Sequence, residues 1–223
     1  MQFYIKFIRS NTAFLIPYLI LLLCLLPVLL IVPRLSLHLL INRYQSSFAD
    51  LSFTCLTYLG DGLTPFVIAL FFAFFSFRNA LKIVSAGTLA GIIAQILKRL
   101  VFPGIKRPYF FFKDLPDYHW VEGVSMHSSF SFPSGHAATI FAVCLIVAGL
   151  THNKILKILL FFLAFLIAFS RVYLSQHFMI DIYAGSLIGI LSSVLIFVIF
   201  DGFKAKWLDS SLLKLTKKNI RNE

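Results

Sequence analysis

The chain contains few of the residues from which metal sites and nucleotide sites are commonly built. Only 9 of its 223 residues are acidic, and its 3 cysteines, Cys24, Cys55 and Cys144, show no metal-ligand spacing. We find no GxxxxGK[ST] phosphate loop, no internal repeat and no low-complexity tract. These absences argue against a metal centre, a P-loop nucleotidase and a repeat protein. We therefore expect no metal and no other cofactor, and we assign the cysteines to packing.

Apolar residues, in contrast, are present in excess. They make up 59% of the sequence, and the mean hydropathy of +0.89 is far above that of an ordinary globular protein. A net charge of +11 suggests nucleic-acid binding in a soluble chain, but here the basic residues lie between apolar runs and form no single polar face. We predict a multi-pass membrane protein whose surroundings are the bilayer, with no nucleic-acid partner and no obligatory protein partner.

Six apolar runs approach the length of about 20 residues that a membrane-spanning helix requires. They predict one all-α domain over residues 1–223, a six-helix transmembrane bundle with spans near 13–32, 58–79, 81–99, 134–150, 155–172 and 178–200. Several runs are short, so their helices must extend into polar flanks, and the alternative is five spans with one interfacial segment. The first run lacks a small-residue cleavage pattern and is read as a retained helix.

The distribution of basic residues sets the predicted orientation. Outside the suspected site, most of them fall on the inner side if both termini are cytoplasmic, and the largest contribution is a basic tail over 201–223. The connections 98–134 and 171–177 then lie together on the outer side of the membrane. Residues 33–50 form either an interfacial helix or a loop, and the leucines beside Arg34 and Arg43 favour the helix.

A histidine, a carboxylate and an arginine occur at the start of the sixth run. His177 and Asp181 are four residues apart, so on a helix the carboxylate can orient the imidazole, which then serves as a nucleophile or a base. A buried pair that merely satisfies both groups is the alternative. Arg171 adds a fixed cation whose planar fork matches phosphate oxygens.

The start of the fourth run has the composition of an anion-binding helix terminus. Ser134 and Gly135 offer a hydroxyl group and accessible backbone N–H groups, although an ordinary N-cap explains the serine equally well. His136 is placed to give a proton to a leaving group. Lys98 and Arg107 add two phosphate donors, and the alternative for both is that they extend towards the membrane interface.

Together these residues resemble the three-part signature of the type 2 phosphatidic acid phosphatase (PAP2) superfamily, which also contains vanadium haloperoxidases. The three parts are Lys98 with Arg107-Pro108, Pro133-Ser134-Gly135-His136, and Ser170-Arg171-x5-His177-x3-Asp181. The resemblance extends from about Ser47 to Phe200. The first part departs from the family pattern, because eight residues separate the lysine from the arginine where six are usual. With the usual six residues, the lysine would stand at position 100, where this chain has Leu100. Arg99 or Lys106 is therefore an alternative source of the positive charge that the motif lysine provides.

The resemblance implies a metal-independent phosphomonoester or diphosphate hydrolase. By matching positions, His177 attacks phosphorus and forms a phosphohistidine, Asp181 holds His177, and His136 protonates the leaving group. The phosphate-binding positions carried over in the same way are Lys98, Arg107, Ser134, Gly135 and Arg171.

An outward-facing site at headgroup depth suits a lipid phosphate as substrate. The candidates are undecaprenyl diphosphate, lipid A phosphate, phosphatidylglycerol phosphate and phosphatidic acid. Our leading hypothesis is a lipid phosphatase of a bacterial inner membrane, acting at the periplasmic face on one of the first two. The aromatic residues over 109–112 and Trp120 either border a path for the lipid tail or anchor the membrane interface. A lipid-to-lipid phosphotransferase and a non-enzymatic lipid carrier are the alternatives.

Overall fold

The structure, a computed structural model that describes residues 2–215, is built of helices. In chain order they are α1 Gln2–Ser10, α2 Thr12–Ile31, α3 Arg34–Asn42, α4 Ser47–Tyr58, α5 Thr64–Ala73, α6 Phe77–Ile96, a π-helical turn Leu97–Val101, α7 Pro108–Phe112, α8 Gly135–Gly149, α9 Lys154–Tyr173, α10 Met179–Gly202 and a 3₁₀ turn Lys206–Asp209. Within the described range, β structure is limited to an isolated bridge between Lys106 and Ser129. The all-α prediction is confirmed.

Four of these helices are long and apolar enough to cross a membrane: α2, α6 with its π turn, α9 and α10. Two further apolar helices, α5 and α8, are shorter. At 10 residues α5 is only about 15 Å long, roughly half the hydrocarbon thickness. Each of the six predicted runs thus contains one apolar helix. Large apolar side chains on the outer faces remain exposed, among them Leu23, Leu30 and Leu191, as expected where lipid covers the surface.

One continuous helix over 58–79 was predicted, and this prediction is wrong. The interval contains the end of α4 at Tyr58, then a turn, α5, and the beginning of α6. In the turn, Asp61 Oδ1 accepts a hydrogen bond of 2.7 Å from the N–H of Gly62. Ser76 caps α6 by accepting from the N–H of Asn79 at 3.4 Å. These polar breaks are short, so the hydropathy of their surroundings conceals them.

The helix α8 forms the centre of the bundle, packed between α6, α9 and α10. Nearly every residue from Ala137 to Ala148 is buried. Gly185 and Gly189 of α10 allow backbone contact with α8, because a Cβ atom at these positions would collide with the carbonyl oxygens of Ser134 and Ala138 respectively. The N-terminus of α8 is thereby fixed against the first turns of α10.

Ion pairs join α6 to the end of α10 and to the 3₁₀ turn that follows it, on the side away from the predicted site. Lys82 Nζ lies 2.6 Å from Asp201 Oδ1, and Arg78 Nε lies 2.8 Å from Asp209 Oδ1. Part of the predicted basic tail, residues 216–223, lies outside the described residues.

Candidate active site

Two connections of the chain meet at one end of the bundle, the one between α6 and α8 and the one between α9 and α10. The N–H of Ser134 donates to the carbonyl oxygen of Asp181 at 3.0 Å, and Arg107 Nη1 donates to the carbonyl oxygen of Gln176 at 3.3 Å. Every residue predicted for the site lies on these connections or on the helix ends beside them. The structure therefore brings the predicted set to one place.

His177 and Asp181 form a buried pair at the start of α10. His177 Nδ1 lies 3.3 Å from Asp181 Oδ2, and the two residues are only 2% and 1% exposed. The same Oδ2 accepts hydrogen bonds from the Ser131 hydroxyl and from the N–H of Phe178. We assign the ring proton of His177 to Nδ1, because an ionised carboxylate can only accept a hydrogen bond, and in this tautomer the lone pair is on Nε2.

The surroundings of His177 keep its ring neutral. Burial lowers the pKa of His177 well below its usual range, and the positive charges of Arg107, Lys98 and Arg171 lower it further. A neutral imidazole retains the lone pair that a nucleophile needs. The cations therefore have a second effect besides attracting an anion.

Arg171 is held in place by a residue that the sequence analysis did not single out. Its Nη1 donates to Thr57 Oγ1 of α4 at 2.6 Å. Its Nε is buried and has no hydrogen-bond partner among the described residues. One edge of the guanidinium group is thus anchored while the Nε–H can still be donated to an anion.

Arg107 joins the two connections. Its Nε donates to the Ser129 carbonyl oxygen at 3.0 Å, and its Nη1 contacts both the carbonyl oxygen and Oε1 of Gln176 at 3.3 Å. The Gln176 amide is itself held, because its Nε2 donates to the Ser125 carbonyl oxygen at 3.2 Å. Burial lowers the pKa of Arg107 from its usual value, while the negative charge of Asp181 raises it. A guanidinium group nevertheless stays charged at neutral pH.

Of the three residues considered for the lysine of the first motif, Lys98 is the buried one. It lies in the π turn at the end of α6 and is 6% exposed. Its positive charge is close enough to His177 to lower the pKa of that histidine. Arg99 is exposed, and Lys106 donates to Ser129 Oγ at 3.2 Å. The eight residues between Lys98 and Arg107 belong to the π turn and to the short connection that follows it.

Ser134, Gly135 and His136 begin α8 as predicted. Ser134 acts as the N-cap, its Oγ accepting from the N–H of Ala137 at 3.4 Å, so the ordinary capping role is present. Its own hydroxyl hydrogen remains available to an anion. His136 lies beside Gly60, where a Cβ atom would stand 3.2 Å from His136 Cδ2. The glycine thus leaves room for the imidazole.

A groove of about 470 Å³ runs from His136 between α5, α6 and α8. Phe66 and Ile92 contribute apolar side chains to its lining. Gly87 and Gly91 of α6 also line it and have no side chain that would fill it. Gln95 also lines the groove. An apolar chain that lies in this groove would bring its polar end to His136.

Sequence reasoning missed Thr57, Ser131 and Gln176. Ser131 lies just before the second motif and Gln176 inside the third, so their positions offered a signal. Thr57 offered none, because only the packing of α4 on α9 brings it to Arg171. Within residues 2–215 there is no group of three or more His, Cys, Asp or Glu side chains that could hold a metal ion.

An apolar helical bundle with two histidines, a carboxylate and several cations at one end defines a membrane protein with a site for phosphate chemistry. The PAP2 superfamily model matches residues 79–204, more than half of the chain, and the chain belongs to this superfamily. The resemblance of the motifs is thereby confirmed. The chain is a membrane protein of the PAP2-type lipid phosphatase family.

Named relatives and solved structures agree with this assignment. The chain is 25% identical over 185 residues to the lipid A 4'-phosphatase of Porphyromonas gingivalis, covering 79% of this chain and 76% of the relative. It superimposes on the crystal structure of Aquifex aeolicus LpxE with a TM-score of 0.61 at 30% identity, over 73% of this chain and 93% of that one. A transmembrane PAP2-type phosphatidylglycerolphosphate phosphatase of Bacillus subtilis shares the fold, with a TM-score of 0.63 at 22% identity over 88% and 98% of the two chains.

Proposed function

We propose that the protein hydrolyses a phosphomonoester or diphosphate on a membrane lipid through a phosphohistidine at His177. The observation that carries this proposal is the buried pair of His177 and Asp181, with Nδ1 and Oδ2 3.3 Å apart. The carboxylate directs the Nε2 lone pair away from itself, and the low pKa keeps that lone pair free of a proton.

The reaction needs two steps. In the first, Nε2 of His177 forms a bond to phosphorus and the bond between phosphorus and the leaving oxygen breaks. His136 must carry a proton on both ring nitrogens at this point, a form that the bound phosphate anion favours, and it gives one of these protons to the leaving oxygen. In the second, His136 takes a proton from water, the oxygen of that water attacks phosphorus, and the bond to Nε2 breaks. Inorganic phosphate leaves, and both imidazoles return to their starting states.

Positive charge stabilises the phosphoryl group in both steps. Lys98, Arg107 and Arg171 surround His177 closely enough to affect its pKa. Ser134 and the N–H groups at the start of α8, with Gly135 as its first residue, add donors at a helix terminus. Charge stabilisation of this kind accounts for most of the catalysis of phosphoryl transfer.

The groove beside His136 supports a lipid as the substrate. Its apolar walls and its position between helices suit an acyl or prenyl tail, with the phosphate at the end that reaches His136. The names of the relatives include two of the candidate headgroups, lipid A and phosphatidylglycerol phosphate. Undecaprenyl diphosphate and lipid A phosphate are our leading candidates, cleaved at the periplasmic face of a bacterial inner membrane with both termini in the cytoplasm.

Phosphate release from a panel of lipid phosphates, measured with the full chain purified in detergent, tests the proposal. The wild type should release phosphate from at least one member, and His177→Ala should reduce release by more than ~10³-fold. Rapid acid-free quenching with labelled substrate should trap an acid-labile phosphoenzyme in the wild type alone. If the label moves to a second lipid and no free phosphate appears, the protein is a phosphotransferase. If folded wild type acts on no member, hydrolysis is wrong.

A further inference from the structure

A second, polar pocket of about 380 Å³ adjoins the catalytic groups. We call it the headgroup pocket, and its lining residues are Gln95, Lys98, Arg99, Arg107, His127, Ser128, Ser129 and Phe130. It shares Lys98 and Arg107 with the phosphate site, and it shares Gln95 with the apolar groove. A lipid whose tail lies in the groove and whose phosphate lies at His177 therefore has its remaining polar atoms next to this pocket.

The headgroup pocket contains more positive charge than one phosphoryl group requires. Beyond the shared Lys98 and Arg107, it has the guanidinium group of Arg99 and the imidazole of His127, with the hydroxyl-bearing Ser128 beside them. None of its described lining residues is acidic. Among the described residues, the Arg99 guanidinium group makes neither a hydrogen bond nor an ion pair. The pocket thus offers donors and positive charge without an anion from the protein.

Extension towards the membrane interface is the simplest account of an exposed arginine. It does not explain why Arg99 follows Lys98 directly in the π turn and lines the same pocket as Lys98, Arg107 and His127. Placing the positive charges of Lys98, Arg99 and Arg107 together costs repulsion, which a bound anion removes. A phosphate or phosphodiester group accepts charge-assisted hydrogen bonds from a guanidinium group and an imidazole together.

We propose that the headgroup pocket binds a second anionic group of the substrate, so that the natural substrate is a lipid with two anionic groups, one of which is the phosphate that is cleaved. This inference rests on the proposed function, because it concerns the same reaction. Diphosphates, bisphosphorylated sugar lipids, and lipids with both a phosphodiester and a phosphomonoester satisfy it. Phosphatidic acid, which has a single phosphate, does not.

Two pairs of lipids with matched tails provide the test. One pair is dioleoyl phosphatidylglycerol phosphate with dioleoyl phosphatidic acid, and the other is farnesyl diphosphate with farnesyl monophosphate. The full-length protein in detergent is compared with the double variant Arg99→Gln/His127→Gln. The matched control is Arg43→Gln, which removes an exposed cation that lies outside the pocket. Thermal melting verifies that each variant is folded.

In at least one pair, the wild type should have the higher kcat/KM on the member with two anionic groups. The double variant should lose about 10-fold to 100-fold on that member, the range expected for one or two charge-assisted hydrogen bonds, and less than about twofold on its partner. Arg43→Gln should change neither. If the double variant loses kcat/KM equally on both members of each pair, or on neither, the headgroup pocket does not bind a second anionic group. The proposed hydrolysis would not be affected by that result. Absence of wild-type activity on all four lipids would instead count against the proposed function.

Discussion

Asp181 Oδ2 contacts three donors at once, and His177 Nδ1, at 3.3 Å, is the longest of these contacts. The other two donors are the N–H of Phe178 at 2.9 Å and the hydroxyl of Ser131. The carboxylate is therefore held by its own helix and by the connection before α8. Its position decides where the imidazole points.

Asp181→Asn should reduce kcat by about 10²-fold to 10⁴-fold while KM changes little. An amide can turn its NH₂ group towards Nδ1 and favour the wrong tautomer of His177, whereas substrate binding depends on other residues. Steady-state kinetics on the best lipid of the panel provides the measurement. Ser131→Ala should have a smaller effect in the same direction, because Asp181 keeps its contact with Phe178. A rise in KM without a fall in kcat would show that Asp181 does not act through His177.

His136→Gln should reduce kcat/KM for an alkyl phosphate by about 10²-fold to 10⁴-fold, the usual contribution of a general acid. The loss should be much smaller on p-nitrophenyl phosphate, whose leaving group is stable without a proton. The kcat/KM values of both substrates, measured for wild type and variant, give the comparison, because kcat/KM reports formation of the phosphohistidine and excludes its hydrolysis, in which His136 acts as a base. His152→Gln, at an exposed position between α8 and α9, is the control. Equal losses on the two substrates would contradict proton donation by His136.

Thr57→Val should reduce kcat/KM about tenfold, because it removes the hydroxyl that anchors Arg171 at 2.6 Å. Thr57→Ser restores that hydroxyl and should recover most of the activity. Thr54→Val, on the same helix, serves as the control for a change in packing. If the valine and serine variants at position 57 behave alike, the hydrogen bond to Arg171 has no role in activity.

Lys98→Met should weaken inhibition by orthovanadate, a mimic of phosphoryl transfer, and lower kcat/KM by about 10-fold to 100-fold. Methionine keeps much of the apolar stem of the buried lysine but removes its charge. Lys106→Met should have little effect on either quantity, because Lys106 contacts Ser129 and the Phe110 ring. A larger effect at position 106 than at position 98 would assign the lysine of the first motif to Lys106.

His38 should make stability fall in acid. It is 2% exposed, its Nε2 lies 2.8 Å from the Tyr118 hydroxyl, and burial lowers its pKa to about 4, against a small opposing effect of the Asp181 charge. The unfolded chain, with a histidine pKa of about 6.5, therefore binds a proton that the folded chain does not. Between pH 7 and pH 5 this difference removes about 2 kcal/mol of the free energy of unfolding.

The measurement is the melting temperature in detergent at both pH values. His38→Gln should show a smaller decrease on acidification than the wild type, even if it starts lower. His152→Gln should keep the full decrease. An unchanged decrease in His38→Gln would assign the pH dependence to other groups.

The sequence predicted the site more completely than it predicted the helices. Motif residues follow chemical requirements that few substitutions satisfy, and the structure brings His136, Arg171 and His177 to one end of the bundle. Helix boundaries depend on single capping residues such as Ser76, whose signal is weak within an apolar run. The break that separates α5 from α6 was missed for this reason.

Residues that hold the motif residues were harder to predict. Thr57 belongs to a helix outside the recognised signature, and its contact with Arg171 joins positions 114 residues apart. No periodicity or spacing encodes such a pair. Gln176 and Ser131 were accessible in principle, because buried cations and carboxylates require partners and these two lie next to them in the chain.

The glycines of α10 that touch the backbone of α8 limit how this enzyme family can diversify here. A methyl group at Gly185 or Gly189 would push apart the two helix starts that carry the anion site and the nucleophile. The backbone of the two helix starts therefore tolerates little displacement. A new lipid preference therefore has to arise from the residues that line the groove and the headgroup pocket, where side chains can change in size and charge without displacing the catalytic groups.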